Sequence, residues 1–124
     1  MNSKRRILAA MNHKEPDRVP VMCQLALGHY FLNCSFSPRE IWFDSEIFAK
    51  ALVDLQKRYE FDGILVNIPG RPQDWTTNIR SSQRINNIEH IYWESGLETV
   101  IPPDDNPQTY QPGQAPLRRA DYRS

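Results

Sequence analysis

His29 is the first side chain of this sequence whose type invites a chemical role. An imidazole ordinarily titrates near neutrality, so it could bind a carboxylate or act as a general acid. A lone histidine without a visible partner also serves as a surface or structural group. Asn67 could orient a polar substrate group, or cap the turn that follows it. Arg71 could bind an anion, or remain solvated as most arginines do. Cys23, His29 and Cys34 carry donor types that zinc favours. Their spacing matches no compact zinc signature and a fourth ligand is undefined, so no metal ligand is assigned. Asp104-Asp105 reads as a turn, and His13 and His90 have no arguable partner.

The surrounding composition limits what such groups could serve. The chain has 124 residues, with 15 Lys+Arg against 15 Asp+Glu. No basic surplus exists to neutralise phosphates, so nucleic acid is not an expected partner. Hydrophobic residues at 40% suit a folded domain rather than a disordered one. The two cysteines form no CxxC, which favours partly buried thiols in a reducing cytoplasm over a disulfide framework. The basic N-terminus carries an apolar stretch, Ile7 to Met11, too short for a signal peptide. The most apolar window, Val19 to Leu32, contains Gln24, Gly28 and His29 and is too short and polar to span a bilayer. A cytoplasmic protein without a membrane partner is expected.

The elements that must position these residues follow from local patterns. Ser3 can cap a helix from Lys4 to about Met11, with Ile7, Leu8 and Met11 on one face. Pro16 blocks its continuation. Val19 to Cys23 reads as a strand, and Leu25 to Leu32 as a helical turn or loop. Ser37-Pro38-Arg39-Glu40 predicts a helix start with a capping box. Asp44-Ser45-Glu46 offers a second start, and Ile47, Phe48, Ala51, Leu52, Leu55 and Tyr59 recur at helical spacing. Ile64-Leu65-Val66 is apolar without alternation, as in a strand buried on both faces of a parallel sheet. Strand, helix and strand then form a βαβ unit. Residues 71–87 are polar and read as irregular. Ile88 to Glu94 and Leu97 to Ile101 predict a hairpin turning at Ser95-Gly96. Half of the ten prolines fall from Pro102 onward, so residues 102–124 are expected to be an extended or poorly ordered tail.

The segment Glu15-Pro16-Asp17-Arg18-Val19-Pro20-Val21, after a helix ending Leu8-Ala9-Ala10-Met11, resembles the opening of the uroporphyrinogen decarboxylase superfamily. Gly28-His29-Tyr30 falls where that family often carries Gly-Arg-Tyr. Tyr59 to Val66 resembles its second barrel strand, and the hairpin fits an early insertion. The resemblance covers about residues 3–105. It implies an α/β fold: the N-terminal part of a (β/α)₈ TIM barrel over residues 1–101, with two barrel strands and a β-hairpin insertion. A complete barrel takes about 250 residues, so the chain would be a truncated one. Unpaired strand edges and an apolar helix face would then favour self-association.

The family's two chemistries imply different site residues. Decarboxylases of porphyrin biosynthesis use two early arginines to hold carboxylates and an aspartate after the second strand. Leu25 and His29 stand where the arginines would be, and Pro69 where the aspartate would be. The departures lean towards the methyltransferase branch, in which zinc activates a thiol for methyl transfer from a corrinoid protein. The zinc ligands of that branch lie in the later part of such proteins. Zinc and corrinoid would therefore belong to a full-length parent, and this chain alone is expected to be inactive. Active sites of barrels lie at the C-terminal ends of the strands, which points to Cys23 and Gln24 after the first strand and Asn67 after the second, with His29 and Tyr30 near the same rim. His29, Tyr30, Asn67 and Arg71, which follows closely after the second strand, are the substrate-binding candidates. A non-catalytic α/β binding module is the alternative, and would require residues 71–124 to close the core.

Overall fold

The computed structural model describes residues 1–66, 68 and 70–114. Helix α1 spans Ser3–Met11. Its cap is Asn2 rather than Ser3: the Asn2 side chain accepts a hydrogen bond from the Arg5 N–H at 2.9 Å. Both residue types cap well, and the chain uses the earlier one. The expected apolar face is not the buried one. Leu8 and Met11 are exposed, and Arg6 is the buried residue of this helix.

Strand β1 (Met22–Cys23) pairs in parallel with β2 (Gly63–Ile64), in register Met22↔Gly63 and Cys23↔Ile64. The expected strand from Val19 contracts to two residues. The run Ile64-Leu65-Val66 is not buried on both faces: Leu65 is 49% and Val66 62% exposed. No third strand flanks this pair among the described residues, and of the run only Ile64 packs against the helical core.

Three helices connect the two strands. They are α2 (Leu27–Asn33), α3 (Pro38–Phe43) and α4 (Ser45–Tyr59). Ser37 caps α3 by the expected capping box, its Oγ accepting from Glu40 N–H at 3.2 Å while Glu40 accepts from Ser37 N–H at 2.9 Å. Asp44 restarts the chain as α4 by accepting from the N–H groups of Glu46 and Ile47. The α4 stripe buries Phe48, Ala51, Leu52 and Leu55 against Leu27, Tyr30, Phe31 and Ile41. Tyr59, at the end of that stripe, is largely exposed. Glu60 ends α4 in the left-handed region.

The second half is an antiparallel sheet of β3 (Ile79–Ile85), β4 (Ile88–Trp93), β5 (Glu98–Ile101) and β6 (Gln108–Tyr110), in that order. The hairpin at Ser95-Gly96 forms as expected, with Gly96 at φ +86°. Residues 71–87 are not irregular: they carry a 3₁₀ turn at Trp75–Asn78 and all of β3. Five consecutive polar residues, Arg80 to Arg84, hide that strand from a hydrophobic pattern. It lies at the sheet edge, where polar side chains face water. Nor does the chain leave the fold at residue 102. Strand β6 pairs with β5, and the Thr99 and Thr109 hydroxyls meet at 2.8 Å. Backbone pairing of this kind needs no apolar side chains.

One face of the sheet meets α3. Phe43, Ile91 and Ile101 form a second core with Trp42, Trp75, Ile79 and Trp93 against it. The α/β class holds. Among the described residues the strands close no barrel.

Candidate functional site

The two ends of the parallel pair differ in chemistry. At the N-terminal end, Arg6 grips Asp17 through Nε and Nη2 at 2.6 and 2.8 Å, and its Nη1 reaches Asp62. Arg18 also pairs with Asp62, at 2.9 Å. The Asp62 side chain is sealed from solvent. The Val21 N–H donates to its carboxylate at 3.0 Å, and this bond, with those from the arginines, holds the Asp62 pKa down at about 2. The hydrogen bond from Arg6 holds Asp17 well below the usual carboxylate range. Asp17 and Arg18, within the segment that carries the family resemblance, thus tie α1 to both strands. Their role in this geometry is structural.

At the C-terminal end a cavity of about 520 Å³ opens. Gln24 and Leu25 follow β1 into its wall, and Leu65 and Ile68 follow β2. Helices α2 to α4 contribute Tyr30, Trp42 and Phe48, and the loop before β6 closes the rim with Asp104, Asp105 and Asn106. This loop reaches α2 because residue 28 is glycine. A Cβ there would overlap the Asp104 carbonyl. The described lining carries two carboxylates and no cationic side chain.

The four expected site residues separate. Tyr30 is buried, meets Phe48 edge-on at 6.2 Å and lines the cavity. Burial raises its hydroxyl pKa. His29, one residue before it, points elsewhere: its Nε2 lies 2.8 Å from the Tyr59 hydroxyl, joining α2 to the end of α4. Asn67, like Pro69, lies outside the described residues. Arg71 sits over the rings of Trp42 and Phe43 at 5.0 and 5.9 Å and lines a different cavity. Sequence reasoning missed Trp42 and the 104–106 loop. The one local signal was Gly28, a glycine at the start of an apolar helical turn, where close backbone approach is a standard use.

Among the described residues no group of three or more His, Cys, Asp or Glu side chains is placed to hold a metal. Cys34 instead lies against the Ala51 carbonyl at 3.9 Å, and burial raises its thiol pKa. No described helix is long and apolar enough to cross a membrane. No protein-family model matches the chain, and no match was found among curated proteins or solved structures.

Proposed function

We propose that this chain is the opening part of a cytoplasmic barrel enzyme of the uroporphyrinogen decarboxylase superfamily, nearer its methyltransferase branch, and that it is inactive by itself. The observation that carries this reading is the polarity of the β1–β2 pair. An ion cluster built from Arg6, Asp17, Arg18 and Asp62 stands at the N-terminal ends, and a cavity opens at the C-terminal ends. Barrel enzymes divide stability and chemistry between their two ends in this sense.

Charge favours methyl transfer over decarboxylation. Leu25 lines the cavity where the resemblance would require an arginine, His29 is engaged with Tyr59, and Asp104 and Asp105 make the rim acidic. A polycarboxylate tetrapyrrole would be repelled there. The described residues do not fit a zinc site. The reading therefore assigns zinc, and contact with a corrinoid protein, to later βα units of the parent. This chain would supply apolar walls and the Tyr30 hydroxyl.

Two fusions test the proposal. The chain is joined ahead of the later βα units of a zinc-dependent methyltransferase of this superfamily, and separately ahead of those of a decarboxylase. The first fusion should transfer methyl from methylcobalamin to a thiol. The second should leave uroporphyrinogen unchanged. The isolated chain should do neither, and should self-associate in light scattering through Val21, Met22, Leu65 and Val66, which are exposed. Two inactive fusions and a monomeric, cooperatively unfolding chain would overturn it.

One observation favours a second reading, a free-standing α/β binding module. Strand β6 and the Gly28–Asp104 contact fold the C-terminal part of the described chain back onto α2. A monomer with a single sharp unfolding transition would support it.

A further inference from the structure

A second cavity, of about 550 Å³, lies between α3, the 3₁₀ turn and the antiparallel sheet. It shares no lining residue with the cavity at the strand ends. Three aromatic side chains dominate its walls. Phe43 stacks on Trp75 at 5.1 Å and meets Trp93 edge-on at 5.3 Å. Trp75 and Trp93 are only half-buried, so indole surface remains open to the cavity. The orientation of Trp93 is locked, because its Nε1–H donates to Thr99 Oγ1 at 2.7 Å.

Among the described residues one cation lines this cavity, and no described group neutralises it. Arg71 rests on Trp42 and Phe43 by cation–π contact. Among the described residues no carboxylate pairs with its guanidinium, and its Nε is buried without a hydrogen-bond partner. Arg39, nearby over Trp75, differs: it is neutralised by Glu89 at 2.9 Å. The carboxylate at the rim, Glu94, is exposed and makes no ion pair with Arg71 among the described contacts. A planar guanidinium held by stacking, with its Nε unpartnered among the described residues, suits a planar anion held in two-point fashion. The volume falls within the range of about 300–1,000 Å³ typical of small-molecule sites.

We propose that this cavity binds a flat aromatic carboxylate. The ring lies against Trp75 and Trp93, the carboxylate pairs with Arg71, and Asn78 and Ser95 stand at the rim as polar contacts. The inference does not depend on the barrel reading, because it uses only α3, the 71–78 segment and the sheet.

The probe is 2-naphthoate, with 2-naphthamide as its uncharged isostere, titrated into the full chain by calorimetry and by ¹H–¹⁵N spectra. The acid should bind saturably, shift the indole N–H signals of Trp75 and Trp93, and bind at least about ten-fold tighter than the amide, as a charge-assisted pair requires. Arg71→Gln should bring acid and amide to within about two-fold, in a chain whose dispersed spectrum shows that it is still folded. Equal binding of acid and amide to the unaltered chain overturns the proposal, and needs no variant to fold. So does a lack of saturation at millimolar acid, or a naphthoate preference that survives in R71Q.

Discussion

The α-carbon of Gly28 lies so close to the Asp104 carbonyl that no side chain fits between them. This approach seats the loop before β6 on the first turn of α2, and so joins the helical and antiparallel halves. Gly28→Ala should cost about 1–3 kcal/mol, the usual penalty of forced overpacking. The urea midpoint measures it. Weaker indole and aromatic signals from the sheet half should accompany the loss if the loop lifts away.

Acid should unfold the protein from the α1 side. Asp62 and Asp17 have folded pKa values below the ordinary 3.8. A depressed folded pKa contributes stability that is fully present above the unfolded value and is lost as pH falls through the folded one. For Asp62 that window runs from 3.8 down to about 2. Urea midpoints taken from about pH 6 to about pH 2 should fall most steeply there. Asp62→Asn should lower the midpoint at neutral pH and flatten the acid limb.

Asp44 separates α3 from α4 by satisfying two N–H groups of the second helix. Asp44→Ala should cost about 0.5–2 kcal/mol, the range for lost N-caps. Asp44→Asn keeps an acceptor and should recover most of it. Chemical denaturation of the three proteins checks the order.

Thr99 is buried, accepts from Trp93 and meets the Thr109 hydroxyl. Thr99→Val preserves shape but strands the indole N–H. Losing this part-buried hydrogen bond should cost about 0.5–1.5 kcal/mol. The Trp93 indole proton should also move upfield and exchange faster.

What could be read from sequence was local. Ser37 to Glu40 and Asp44 to Glu46 specify two helix starts within a few residues each, and both form. The Ser95-Gly96 turn needs only a positive φ at Gly96. The misreadings concern partners far along the chain. Ile64-Leu65-Val66 carries the pattern of a doubly covered strand, yet burial depends on neighbours, and Leu65 and Val66 stay exposed. Arg80 to Arg84 lacks any apolar signal because an edge strand is held by backbone bonds to one neighbour. At the candidate site Tyr30 and His29 are adjacent in sequence but diverge, since successive helical residues point about 100° apart. Only the packing of Tyr59 and Phe48 decides which of them meets the cavity.

The Arg6–Asp62 ion pair spans 56 residues. A ribosome adding about 5–20 residues per second needs roughly 3–11 s to cover that distance. Throughout that interval the nascent first helix carries an arginine cluster whose buried anchor has not yet been made. The early segment is thus available to chaperones or to other chains for seconds on every round of synthesis. The timing is set by where one aspartate stands in the message.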